Sequence, residues 1–517
     1  MSDSTITFVI LGAAVVVFVW DRLPVAVVAL GVALALWATG VLKLYVALGG
    51  FGDPTVVFIA TLFVVSEALD AAGVTSWAGQ QLIVHVSASR TRLIVLTMLL
   101  AAVLTALISV NGAVAALIGV TVVTAIRLGR PPSQLLLPLA FGAHAGSLLA
   151  LTGTPVNVIV SDAAGDAGVG RFGFLEFGLV GVPLVAGTIA IVWLFGERLL
   201  PHRAARSITR DFSDHARTLI EQYRLEHAED ALLTRTSGVA EVVVPPRSEL
   251  AGERLFPGMV TDSGDLVVLG VQRKGEELAG ESVLAVGDTL LVQGTWRDLD
   301  RHLDDVLVVD PPELVRRAMP LGQGAKRAIA VLAVMVVLLA TGAVPPAVAG
   351  LLAAGAVVLL GVLSVDQAYR SVSWTTVILV AGMIPLSTAM ISSGAAQRLA
   401  DQLVAVVGEA GPYALLAGLF VFTVTLGQLI SNVATALIVI PVAVSAAAEM
   451  DVSAKPALMT VAVSAAASFL TPVATPANLM VMEPGGYRFG DYWRLGLPLL
   501  ALFGAVAIGL VPVFWPL

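Results

Sequence analysis

The chain has 517 residues, 57% of them hydrophobic and only 13% charged, with a mean hydropathy of +0.92 and a net charge of −8. That balance excludes an ordinary soluble globular protein. The absence of cysteine excludes disulfides, thiolate metal sites and thiol catalysis.

About 20 helical residues cross a bilayer core, and apolar runs of that order lie at 5–20, 23–42, 55–73, 134–165 and 174–197. Thr5 to Trp20 lacks the basic start and small-residue cleavage site of a signal peptide, so it reads as a retained helix. Residues 92–126 are also apolar, but Val110-Asn111-Gly112 sits at their middle, which suggests two half-helices meeting at a polar tip. The 134–165 span is interrupted by Gly153-Thr154-Pro155-Val156-Asn157.

Hydrophobicity then collapses between about 201 and 325. Residues 201–236 are charged and read as a helical surface linker. From Gly238 the pattern turns to β-type runs at 239–244, 265–271 and 287–294, with a closing helix expected from Asp298 to Leu307. Residues 237–312 thus form a small α+β domain, and 313–325 a second linker.

The second half repeats the plan of the first, with spans at 326–342, 345–363, 375–393, 456–482 (broken) and 493–515 and a hairpin at about 412–448. Its tip is Ser431-Asn432-Val433-Ala434-Thr435, and its break is Ala474-Thr475-Pro476-Ala477-Asn478. Asn111, Thr154, Pro155 and Asn157 recur 321 positions later as Asn432, Thr475, Pro476 and Asn478. Thr55-Val56, Gly73 and Ser147 recur at the same offset as Thr376-Val377, Gly394 and Ser468. Residues 1–200 and 326–517 therefore read as two repeats. Five crossings each would invert them, and an external N-terminus places most of the Lys and Arg inside, with the insert cytoplasmic.

Backbone that leaves the helix at membrane depth is tolerated only where it is buried in protein or lines a cavity. Paired breaks in two halves point to a transporter's substrate and ion sites. The expected substrate-binding set is Asn111, Gly112, Thr154, Pro155, Ser431, Asn432, Thr475 and Pro476. Na⁺ ligands are expected among Asn111, Asn157, Ser431, Asn432, Thr435 and Asn478, since amide, hydroxyl and freed carbonyl oxygens suit a bare cation. A polar kink packed by these residues is the plainer reading of any one motif; four motifs in two registered pairs favour function. His144, Glu67 and Asp70 are the candidates for proton coupling, against a buried hydrogen-bonded histidine and two acids at a membrane boundary. Asp162 and Glu483 correspond at the same offset and read as boundary or gating residues. No intramembrane Lys or Arg offers itself as an anion clamp.

These motifs resemble the divalent anion:sodium symporter family, within the ion transporter superfamily of dicarboxylate, citrate, sulfate and arsenite carriers. Ser431-Asn432 followed by Thr435 is a relaxed form of that family's Ser-Asn-Thr tip, and Thr475-Pro476 with Asn478 fits its break. The first tip keeps only Asn111, with Ser109 one place off the expected serine. Pro245 to Gly252 and Val286 to Gly294 are similar to the TrkA C-terminal domain of potassium-conductance regulators, which often dimerises and binds a small ligand; a purely structural module is the alternative.

The resulting expectation is an all-α polytopic membrane protein of two inverted repeats, with re-entrant hairpins, broken helices and a small α+β domain. It would be a homodimeric inner-membrane transporter in contact with lipid, coupling a small anion (sulfate or a di- or tricarboxylate) to Na⁺ or H⁺. No organic cofactor, nucleic-acid partner or enzymatic activity is expected. The resemblance implies an elevator mechanism. The rival readings are a regulated ion channel, for which no filter-like segment is evident, and a sensor signalling through the insert.

Overall fold

The computed structural model describes residues 2–20, 22–75, 77–78, 90–127, 130–203, 237–244, 252–255, 259–260, 266–273, 276–278, 282–295, 307–308, 324–407, 411–472 and 474–517. Residues 204–236 of the linker expected at 201–236, the motif residues 245–251, residues 298–306 of the expected closing helix and residues 313–323 of the linker expected at 313–325 lie outside the described residues.

The first half runs α1 (Asp3–Trp20), α2 (Val25–Ala38), α3 (Leu44–Ala47), α4 (Pro54–Ala71), α5 (Arg90–Leu107), α6 (Val110–Arg127), α7 (Leu136–Gly146), α8 (Pro155–Asp166) and α9 (Gly178–Leu199). The second runs α10 (Ala325–Thr341), α11 (Pro346–Leu359), α12 (Val365–Ser371), α13 (Trp374–Ser392), α14 (Ala395–Val407), α15 (Pro412–Gly427), α16 (Asn432–Glu449), α17 (Ala454–Ala466), α18 (Pro476–Met482) and α19 (Tyr492–Ala505). A π turn at Val506–Leu510 carries α19 into α20 (Val511–Phe514). The expected spans match these helices closely, and α11 begins and ends 321 residues after α2. Among the described residues six segments, α1, α4, α9, α13, α16 and 489–514, are long and apolar enough to cross a membrane.

The starts of the helices follow from local chemistry. Proline stands at the first position of α4, α8 and α18, where its missing N–H costs nothing. Before each stands a capping side chain: Asp53, Thr154 and Thr475 accept from backbone N–H groups of the first turn.

Two packed groups of helices result. In one, α13 lies on α2 and α11 on α4, so each half packs on the other. Glycines set those approaches, as expected where lipid gives no hydrophobic drive between helices. A Cβ on Gly382 would stand 2.8 Å from the Ala29 carbonyl carbon, and one on Gly350 would stand 2.9 Å from the Phe58 ring. In the other group, α5 packs on α7 and α15 on α17, with α9 and α19 alongside. There Gly142 faces the Met98 backbone. Two elements beyond the expected plan appear in the second half, the short α12 and the amphipathic α14, which buries Ala396 and Ala400.

The insert is a separate small core. Strands β1 (Ser237–Val243), β2 (Arg254–Leu255), β3 (Leu266–Arg273), β4 (Glu276–Glu277), β5 (Ser282–Val283), β6 (Thr289–Thr295) and β7 (Leu307–Val308) form a five-stranded antiparallel sheet in the order β4-β3-β6-β1-β7, with β2 and β5 paired apart. Leu307, expected to end a helix, lies in β7 instead, where β1 offers it a strand edge. Val242, Val268, Val271 and Leu290 fill the core. The Gly287-Asp288 pair has a clear physical basis. Gly287 turns at φ +88°, and the buried Asp288 carboxylate takes two bonds from Arg273 (2.8 and 2.7 Å) and one from Ala285 N–H (2.7 Å). The Arg273 guanidinium beside it holds the Asp288 carboxyl below the usual carboxylate range.

Candidate functional site

Each broken helix is unwound by the same device. Between α7 and α8, the Asn157 amide Nδ2 donates to Ser147 O (2.8 Å) and Ala150 O (2.9 Å). Between α17 and α18, Asn478 Nδ2 donates to Ser468 O (2.8 Å) and Thr471 O (3.1 Å), the same positions 321 residues on. Both asparagines are fully buried. Carbonyls freed by the break would otherwise stand unpaired at membrane depth, at several kcal/mol each by order of magnitude. Each asparagine therefore stabilises the break that its own helix begins.

The tips are capped by serine. In the second repeat Ser431 Oγ accepts from Ala434 N (3.3 Å), starting α16. In the first, Ser109 Oγ accepts from Gly112 N (3.1 Å), starting α6. Ser109, not Val110, is thus the structural counterpart of Ser431, and Asn111 lies one residue deeper in its helix than Asn432 does. The 321 register slips by one residue at the hairpin, where the cap position decides where the helix begins.

The second repeat ties tip to break. Ser468 Oγ donates to Asn432 Oδ1 (2.7 Å), while Ser468 O receives Asn478 Nδ2. Gln428, at the end of α15, accepts from Leu470 N (3.2 Å). The first repeat is joined differently: Thr152 Oγ1 donates to Ala106 O (2.8 Å), and Ser147 Oγ turns back to His144 O (2.8 Å). The repeats also interleave. α8 packs against α16 and α18 against α6, so each half-helix lies on the other repeat's tip helix.

His144 crosses between the repeats. Its Nε2 lies 3.1 Å from Thr475 Oγ1 and 3.2 Å from Asn478 Oδ1, and its ring stands edge-on to Phe469, 6.0 Å between centroids. Phe469 packs in turn on Phe141 and Phe503. Tyr492 OH donates to Asn478 O (2.7 Å). Glu67 and Asp70 lie on α4, where Asp70 accepts from Thr75 Oγ1 (2.6 Å). Thr435 is buried, and its hydroxyl has no partner among the described residues.

Asp162 belongs to a different place. It pairs with Arg171 and accepts from Thr55 Oγ1 (2.7 Å), beside a cavity of about 160 Å³ that Asp53, Asp166, Ser387 and Thr388 also line. Glu483 follows the last residue of α18. Among the described residues no group of three or more His, Asp or Glu is arranged to hold a metal ion.

Sequence reasoning found the asparagines, threonines and prolines of both breaks through their repetition. It passed over Ser468 as a link, Gln428, and the reach of His144 into the other repeat. Ser468 already stood in the repeated register, which was the one available signal.

The citrate transporter family profile matches residues 15–463 and 390–516. The uncharacterized transporter YfbS of Escherichia coli is 30% identical over 98% of both chains. Sodium/sulfate cotransporter 1 of Chlamydomonas reinhardtii is 24% identical over 54% of this chain and 33% of that protein. The crystal structure of the YdaH transporter of Alcanivorax borkumensis superposes with a TM-score of 0.52 at 13% identity, covering 97% of this chain and 99% of that one, a likeness of fold. This chain is a multi-pass membrane transporter and belongs to the citrate transporter family.

Proposed function

We propose that the protein is a secondary active transporter that moves a small anion, sulfate or a di- or tricarboxylate, together with Na⁺ or H⁺. The observation that carries this reading is the pair of asparagine-pinned breaks, interleaved so that each half-helix lies on the other repeat's tip helix. That interleaving supports a site to which both repeats contribute amides, hydroxyls and loop carbonyls, the groups a coupled anion and cation require. Asn111, Gly112, Thr154, Pro155, Ser431, Asn432, Thr475 and Pro476 form the proposed anion set, and Asn157, Thr435 and Asn478 extend it toward the cation. The names of the sodium/sulfate cotransporters among the relatives favour an oxyanion and Na⁺.

An elevator movement of α5–α9 with α15–α20 against the remaining helices fits the two packed groups. A homodimer in the inner membrane, with the TrkA-like insert cytoplasmic and open to a regulatory ligand, completes the proposal. Equilibrium binding of labelled sulfate and citrate to purified protein, in Na⁺ and in choline, tests it. Wild type is expected to bind one of the two anions, and Asn432→Ala to lose at least tenfold in affinity while remaining folded. Equal binding by Asn432→Ala contradicts the site.

A further inference from the structure

The hydrogen positions around His144 follow from one amide. Asn478 Nδ2 gives its hydrogens to two loop carbonyls, Ser468 O (2.8 Å) and Thr471 O (3.1 Å), which fixes the amide orientation and leaves Oδ1 as a pure acceptor. His144 Nε2 lies 3.2 Å from that oxygen, so the imidazole carries its hydrogen on Nε2; the other neutral tautomer would set lone pair against lone pair. The same Nε2 lies 3.1 Å from Thr475 Oγ1, so one N–H is shared between the two oxygens. The ring has little freedom to turn away. It is buried, and Phe469, itself packed on Phe141 and Phe503, stands edge-on to it.

Thr475 Oγ1 also receives Asn478 N–H (3.3 Å). A threonine hydroxyl has two lone pairs and one hydrogen. Here the imidazole and the backbone N–H take both lone pairs, while the hydroxyl hydrogen has no acceptor among the described residues. Thr475 is 6% exposed, so bulk water is not at hand to take it. The first break presents a different threonine. Thr154 Oγ1 receives only Val156 N–H (3.4 Å) among the described residues and keeps a lone pair, so it can donate or accept.

We infer that His144 is a positioning residue for the anion: by filling the acceptor side of Thr475, it commits that hydroxyl to donate to an anion oxygen. The oxygen this suits carries no proton, as on sulfate or a carboxylate. The imidazole stays neutral and passes no proton; its part is to orient. Without it Thr475 Oγ1 and Asn478 Oδ1 both lose a donor, and the hydroxyl hydrogen is no longer held for the anion. This role rests on the transport reading above, in which Thr475 belongs to the anion set.

The test is equilibrium binding of labelled sulfate and citrate to the full-length protein in detergent and NaCl. His144→Ala is expected to weaken the anion that wild type binds by about fivefold or more, the order of one hydrogen bond. His144→Gln, whose amide can offer an N–H near the place of Nε2, is expected to recover affinity to within about twofold of wild type. In a Thr475→Val background, which lacks the hydroxyl, His144→Ala is expected to cost less than about twofold, because one residue acts through the other. An equal loss in both backgrounds, the mark of a merely structural histidine, overturns the inference. If His144→Ala does not fold, nitrogen-15 NMR of wild type decides, with the His144 signal assigned by its absence from His144→Gln. The neutral Nε2–H form, shifting as the anion is added, is expected; the Nδ1–H form or a signal indifferent to anion overturns the inference. Binding lost in Asn432→Ala but kept in His144→Ala overturns this role alone and leaves the transport reading standing. A wild type that binds neither anion overturns both.

Discussion

Asn157 and Asn478 hold the two breaks with four side-chain bonds to loop carbonyls, and nothing else of their size and hydrogen-bonding character would fit. Aspartate keeps the shape but has no donors, so Asn478→Asp should repel the carbonyls it now binds. We expect that substitution to lower stability by about 2–4 kcal/mol, the order of two lost buried hydrogen bonds, seen as a fall in thermal midpoint. Ser468 and Ser147 offer a sharper contrast. They occupy equivalent positions, but only Ser468 reaches a tip residue, Asn432. Ser468→Ala is therefore expected to reduce anion uptake severalfold and Ser147→Ala to leave it near wild type. Equal effects would mean that the tip-to-break link carries no function.

At the level of elements, close helix packing depends on a few glycines. Gly382→Val would drive a branched side chain into the Ala29 backbone and should abolish folded protein, whereas Gly355, with nothing within 4 Å of its Cβ position, should accept alanine with a gain of up to about 1 kcal/mol. Size-exclusion profiles and thermal midpoints of the two variants check this. Helix positions were legible in the sequence because proline, glycine and apolar run length mark them, and repetition marked the breaks. α14 was not legible as a separate element: its Gln397, Arg398 and Asp401 face outward on a helix whose buried face is mostly alanine, which hides it in a hydropathy trace. The slipped register at the first tip was hidden too, because the matching asparagines suggested an alignment that the serine caps do not share. The reach of His144 could not be read at all, since it depends on how α7 and α18 pack.

In the insert, the sheet depends on one charged contact. Asp288 has its carboxyl held below the usual range by Arg273, so its contribution to stability is present above that range and lost as pH falls through the lowered value. Amide exchange in β3 and β6 of the full chain should thus stay slow through ordinary carboxylate pH and quicken below it. Asp288→Asn should quicken exchange already at neutral pH. Protection indifferent to the substitution would remove the ion pair from the account of this domain.

Over the whole molecule, the repeats are fastened to each other at separate places around the site. Arg203, after α9, pairs with Asp491 (2.6 Å) beside Tyr487, whose hydroxyl donates to Ser133 O (2.6 Å). Elsewhere Glu176 of the first repeat receives Trp515 Nε1 (2.6 Å) and Lys455 (3.1 Å) from the second. These contacts, with the His144 link, join α5–α9 to α15–α20, the helices that the proposed elevator movement takes as one body. The most direct test is accumulation of labelled sulfate and citrate by proteoliposomes under an imposed Na⁺ gradient, compared with a pH gradient. Accumulation of one anion above its external concentration, driven by one of these gradients and abolished in Asn432→Ala, is the predicted result. Flux that only follows the electrical potential, with no uphill accumulation, would contradict it.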